Sequence, residues 1–175
     1  EVFLFECYTG IRISDILTLK WKHITDEKIS IRMRKTEKLL SIPINDYVRA
    51  VLDRRRCAVE NNGGKITSEK YVFNILKVDV DEVSAQDALN AISSATAVIN
   101  KQLKKIAKKT GIDKNLSTHC ARHSYATALL TNNIPLPVIK EMLGHSDIKV
   151  TQIYAKVVDS KRNEVVECLN KVYHG

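Results

Sequence analysis

Leu116-Ser-Thr-His-Cys-Ala-Arg-His-Ser-Tyr-Ala-Thr127 sets His119, Arg122, His123 and Ala126 at i, i+3, i+4 and i+7, which is one face of an α-helix. An arginine and two histidines on a face that turns to alanine one turn later are not arranged for solvation alone. A guanidinium offers a planar fork of donors and an imidazole can donate a hydrogen bond or a proton, so the trio suits a phosphate. A buried polar cluster that satisfies backbone groups explains the same residues equally well. Cys120 adds a thiol between the histidines, but the spacing supplies no complete ligand set and no metal is expected.

Downstream, Leu143-Gly-His-Ser-Asp-Ile-Lys-Val-Thr-Gln-Ile-Tyr154 joins a permissive Gly144 to His145, with Tyr154 nine residues further on after a helical stretch. Helical spacing covers 118–131, 136–143 and 148–155. A last helix is expected over 160–172, with Val165, Val166, Leu169 and Val172 on one side.

Upstream, 1–8 is an apolar, helical tail end interrupted at Thr9-Gly10, and a short helix follows around 14–19. Alternation of Ile29, Ile31 and Met33 marks a half-buried strand over 28–33. With 39–44 it makes a hairpin across Arg34-Lys-Thr-Glu-Lys38, and Pro43 closes the second strand. Asn45 or Asp46 can cap a helix running to about Glu60, and Asn61-Asn-Gly-Gly64 ends it. Residues 71–73 are a short strand candidate. Residues 84–109 have helical spacing from a Ser cap, with Ile99, Leu103 and Ile106 on one stripe and lysines on the solvated side. Tyr47, Tyr71, Tyr125 and Tyr173 are expected as core aromatics and His123 as a structural histidine. The expected class is mainly α with a small antiparallel β-sheet, in a single domain over 1–175.

Composition agrees with a globular chain: 175 residues, 44% hydrophobic and 27% charged, enough to bury a core. No apolar run approaches the ~20 residues needed to span a bilayer. The amino terminus has no basic leader, no cleavage site and no initiator Met, so the chain is expected to begin inside a longer protein. Cys7, Cys57, Cys120 and Cys168 are widely spaced and read as reduced intracellular thiols. A net charge of +8 and a pI near 9.3 favour a polyanionic partner.

Together with Thr9-Gly-Ile-Arg-Ile-Ser-Asp15, the hairpin, the His119-x-x-Arg122 box and the Gly144-His145…Tyr154 box resemble the tyrosine recombinase (phage integrase) family. The four pieces occur in the family's order, with similar spacings, over almost the whole chain. The resemblance implies a compact helical catalytic domain with a β-hairpin that reaches DNA. It also implies metal-free, cofactor-free phosphoryl transfer on duplex DNA. Arg12 and Arg122 would clamp the non-bridging oxygens of the scissile phosphate, and His119 and His145 would add hydrogen bonds or move protons there. Tyr154 would attack phosphorus to leave a 3′-phosphotyrosine and a free 5′-hydroxyl, with Lys35 as the general acid for the departing oxygen. Asp15 stands where the family carries an acidic residue, a buttress for Arg12 or nearby backbone.

The chemistry is coherent in elementary terms. Charge gathers on the equatorial oxygens of a phosphodiester in transfer, and preorganised cationic donors stabilise it. Tyrosine has a reference pKa of ~10, so nearby guanidiniums and an imidazole are needed to favour its phenolate or take its proton. One departure stands out: Glu37 occupies the place after Lys35-Thr36 where many relatives have glycine, which makes Lys38 a second candidate for the acid. The expectation is a site-specific recombinase that serves a mobile element in a bacterial cytoplasm, at the nucleoid. Its full-length form would act as a homotetramer on two DNA sites, using an amino-terminal DNA-gripping domain absent from this chain. A type IB topoisomerase or a non-catalytic DNA-binding protein of the same fold are the alternatives.

Overall fold

The computed structural model describes residues 1–145, 147 and 149–152. They fall into two compact units, 1–125 and 126 onward. Among the described residues the chain is mostly helical, with one two-stranded antiparallel sheet, as the hydrophobic spacing implied.

In the first unit, α1 (Val2–Thr9) stops at Gly10, which adopts the left-handed conformation (φ 65°) and donates its N–H to the Glu6 carbonyl at 2.8 Å. Glycine is demanded there on two counts, because a Cβ would also collide with the Tyr125 ring. The chain turns at once into α2 (Ile13–Leu17), whose N-cap is Arg12. The sharp corner therefore places an arginine at the very start of a helix. Its buried floor is Phe5, Ile11, Ile16, Leu17 and Leu19.

Strands β1 (Lys28–Arg32) and β2 (Leu39–Pro43) pair with Ser30 opposite Ser41. Period-two alternation sends Ile29 and Ile31 inward to face Ile42 and Leu40 across the ladder, and Met33 continues the buried row. Helix α3 (Asp46–Asn61) starts where Asn45 Oδ1 accepts the Val48 N–H at 2.9 Å. Tyr47 is 66% exposed and stacks on Tyr8 (ring centroids 4.9 Å apart), so it is not the core aromatic expected.

Residues 71–73 are not a strand. Tyr71 makes a single bridge to Lys20, and Val72 N–H goes to the Leu19 carbonyl at 2.8 Å. Side chains take over the tethering. The Tyr71 hydroxyl donates to Asp79 (2.8 Å) and accepts the Val80 N–H (2.9 Å). Lys20 Nζ reaches Asp79 at 2.9 Å and Asp81 at 2.7 Å. Tyr71 is half-buried: its ring packs against the core cluster of Leu17, Leu76 and Val80, while its hydroxyl joins the polar contacts; Phe73 packs edge-on against Phe5.

Ser84 caps α4 (Ala85–Lys109) by accepting the Asp87 N–H at 3.1 Å. Its buried stripe is Ala88, Ile92, Leu103 and Ala107, and the first two pack with Leu17, Leu76 and Val80. Leu103 and Ile99 pack inward as expected, but Ile106 is 51% exposed and the small Ala107 takes the inner place at the end of the stripe. Helix α5 (Thr118–Thr131) begins where Asn100 Oδ1 of α4 accepts the Thr118 N–H at 2.9 Å.

In the second unit, α6 (Leu136–Leu143) ends at Gly144, left-handed at φ 61°, and α7 covers Lys149–Gln152. Leu130, Ile139, Leu143 and Thr151 are buried. The expected helix over 160–172, Tyr173, Cys168 and Tyr154 itself lie outside the described residues. No helix among the described residues is long and apolar enough to cross a membrane.

Candidate active site

Arg122 is buried on α5 at 6% exposure, and its Nη1 donates to the carbonyl of Gly10. That bond fixes the guanidinium against the α1–α2 corner, two residues before Arg12. Arg12 is half-buried, with Nη1 3.3 Å from the Met33 sulfur at the root of the hairpin. Asp15 lies one helical turn beyond Arg12 and feels the charge of both arginines. Two of the six residues read as catalytic, distant in sequence, are therefore gathered about one buried carboxyl.

Asp15 Oδ1 accepts the Arg34 backbone N–H at 2.9 Å, while Oδ2 is buried and has no hydrogen-bond partner among the described groups. Burial pushes its pKa up, against the opposing pull of the Arg34 N–H and of Arg12, Arg122 and Arg34. The bond ties α2 to the hairpin loop, so the buttress acts on neighbouring backbone. Lys35 follows Arg34 directly and is exposed, as is Lys38. Between them Glu37 adopts φ 55°, the left-handed conformation that glycine would take without strain. The turn nevertheless closes: Glu37 N–H reaches the Met33 carbonyl at 2.8 Å, and Arg32 Nη1 holds the Glu37 carbonyl at 2.8 Å.

The helical face of α5 splits. His119 and His123 are exposed, with ring centroids 6.1 Å apart, whereas Arg122 and Ala126 point inward. Burial, His119 and Arg122 all push the pKa of His123 down. Tyr125 is half-buried and its pKa is raised by burial, which suits a packing role beside Gly10. Among the described residues no group of three His, Cys, Asp or Glu side chains gathers as a metal site.

In the second unit His145 follows the left-handed Gly144, and its N–H goes to the Lys140 carbonyl at 3.0 Å. Its Nδ1 lies 2.9 Å from the Thr151 hydroxyl, and Thr151 is fully buried. A fixed hydroxyl on Nδ1 orients the ring. Thr151 was not singled out in the sequence. Its position three residues before Tyr154 was the only available signal.

Glu6 was also passed over. It is 2% exposed, and its Oε2 is buried with no hydrogen-bond partner among the described groups. A lone acid within the apolar run Val2-Phe-Leu-Phe-Glu-Cys7 was the signal. Burial raises its pKa to about 8 against the pull of Arg122 and of the Ile13 N–H.

Residues 2–161 match the model of the phage integrase family. The chain is 48% identical over 160 residues to tyrosine recombinase XerD of Listeria monocytogenes, covering 90% of this chain and 49% of that protein. It is 30% identical over 163 residues to tyrosine recombinase XerA of Saccharolobus solfataricus, covering 93% of this chain and 47% of the relative. The chain thus spans about half the length of these two relatives. Its fold is similar to that of XerH site-specific recombinase bound to palindromic difH substrate, with a TM-score of 0.65 and 22% identity, over 97% of this chain and 44% of that one. The chain belongs to the phage integrase family of tyrosine recombinases.

Proposed function

We propose that this chain is the catalytic domain of a site-specific recombinase that cuts and rejoins duplex DNA through a 3′-phosphotyrosine intermediate. The observation that carries the reading is the gathering of Arg12 and Arg122 about Asp15, with Arg122 bonded to the Gly10 carbonyl. Two anchored guanidiniums suit two non-bridging phosphate oxygens, and they need no reorganisation as charge builds there.

In this reading the Tyr154 oxygen attacks phosphorus and the bond to the 5′-oxygen breaks. Lys35 on the hairpin loop gives that oxygen its proton. His119 and His145 donate hydrogen bonds to the phosphate or take up the phenol proton. The new ester conserves the energy of the old one, so a second 5′-hydroxyl can reverse the step on another strand. Integration or excision of a mobile element by a homotetramer on two duplexes is the assembly in which that exchange becomes recombination.

The test is strand exchange by the full-length protein between two labelled duplexes carrying its own flanking sequences. Joined products from both duplexes are expected. Relaxation of supercoils by a monomer without any exchange would instead assign nicking and resealing. Binding should weaken steeply as salt rises, because phosphate contacts release counterions.

A further inference from the structure

Met33 ends the inward row that Ile29 and Ile31 begin on β1, and it is 1% exposed. It also forms the base of the loop that carries Lys35. Its N–H donates to the Lys38 carbonyl at 2.9 Å, and its carbonyl accepts the Glu37 N–H at 2.8 Å. Arg12 Nη1 donates to its sulfur at 3.3 Å, and the Thr36 hydroxyl lies 3.8 Å from the same atom. Among the described residues this sulfur is the one hydrogen-bond acceptor that the Arg12 side chain has.

Another isoleucine would extend the buried row and offer the guanidinium nothing. A carboxylate in this place would hold Arg12 firmly, but it would neutralise the charge and occupy the paired donors. A thioether is uncharged and a weak acceptor, and it engages one N–H of a guanidinium that carries several. Resting on the reading of Arg12 as half of the phosphate clamp, we propose that Met33 is a positioning residue for Arg12. It is an uncharged anchor that restrains the guanidinium and leaves its charge and its other donors to the phosphate. Rotamers excluded before DNA arrives are entropy that binding and reaction do not have to lose. Through Thr36 the same sulfur touches the loop beside Lys35, so the clamp and the acid's loop share one atom.

Asp15 does not supply this restraint. It feels the charge of Arg12 but takes no hydrogen bond from it, since Oδ1 accepts the Arg34 N–H and Oδ2 has no partner among the described groups. Asp15 thus holds the loop backbone, and Met33 holds the arginine side chain.

The experiment uses the full-length protein as wild type, Met33→Leu and Met33→Gln. Leucine keeps the volume and removes the acceptor, a swap that cores tolerate. Glutamine returns an acceptor on an unbranched side chain. Adduct formation on nicked suicide duplexes is followed at saturating DNA, beside the Kd for the same duplex. Met33→Leu should lose about tenfold in rate, with a Kd within about twofold of wild type, as expected when positioning and not binding is lost. Met33→Gln should be faster than Met33→Leu. A wild-type rate in Met33→Leu, or equal rates for the two folded variants, would overturn the proposal. A second readout needs no activity and decides the matter if the glutamine variant does not fold. It is the order parameter of the Arg12 Nε–H from 15N relaxation, assigned by its loss in Arg12→Lys. The value should fall in Met33→Leu, and an unchanged value overturns the proposal. Absence of any adduct with wild type would count against the catalytic reading, and the order parameter alone would then decide Met33.

Discussion

Asp15 Oδ1 accepts the backbone N–H of Arg34 at 2.9 Å, and through that bond the helix carrying Arg12 holds the loop carrying Lys35. A site whose clamp and whose general acid come from different elements needs such a tie. A displacement of ~1 Å at a reacting group can cost about a hundredfold in rate. Asp15→Ala should therefore lower the rate of covalent adduct formation by ~10- to 100-fold with little change in DNA affinity. Asp15→Asn retains an acceptor for Arg34 and should lose less. Equal losses for both variants would show that the charge of Asp15, not its bond, is what counts.

Thr151 gives His145 a second, testable support. Replacement by valine keeps the shape and removes the hydroxyl that faces Nδ1 at 2.9 Å. The rate of adduct formation should drop by ~10-fold, as for other partners that orient a working histidine. Thr151→Ser should restore most of it. A valine variant with the wild-type rate would remove Thr151 from the site.

Glu37 holds φ 55° in a turn that closes through backbone groups, and those groups survive its replacement. Relief of a left-handed non-glycine residue is worth about 1 kcal/mol, reduced by the extra freedom of glycine in the unfolded chain. Glu37→Gly should raise the thermal midpoint by a few degrees. A fall in the midpoint would mean that the glutamate side chain contributes more than the backbone strain takes away.

Burial of Glu6 also sets a pH dependence of stability. The unfolded chain releases this proton near 4.5 and the folded chain holds it up to about 8. Over that window the native state binds more protons, so stability falls as pH rises and levels off above 8. Asp15, also raised by burial, acts in the same direction. For Glu6 the full loss is on the order of 5 kcal/mol. Urea unfolding at pH 5 and pH 8 should show the gap between Glu6→Gln and wild type shifting in favour of the variant at the higher pH. A constant gap would contradict the raised pKa.

What the sequence disclosed was local. Gly10 and Gly144 stop helices because the left-handed conformation belongs to glycine, and Asn45 and Ser84 cap because their side chains reach the next turn. Alternation at Ile29, Ile31 and Met33 marked the hairpin. What it concealed depended on distant partners. Tyr71 looks like strand, yet it makes one bridge only, its hydroxyl is taken by Asp79 and Val80, and its neighbour Val72 is held by Leu19. Ile106 fits the apolar stripe of α4, but Ala107 occupies the inner place. For the site, motif spacing nominated Arg12, Arg122 and Asp15 as a buttress, but only folding shows that the Asp15 carboxyl accepts the Arg34 N–H and feels the charge of both arginines. Glu6 and Thr151 acquire meaning only from what they face.

The central claim is that Tyr154 is the nucleophile of a strand-transfer site built on Arg12 and Arg122. Full-length protein, as wild type and as Tyr154→Phe, would be mixed with nicked suicide duplexes and then denatured. A covalent protein–DNA band with wild type alone, leaving a free 5′-hydroxyl on the departing strand, is the result predicted. Equal trapping by Tyr154→Phe, or none by either protein despite clear binding to the same duplexes, would contradict it.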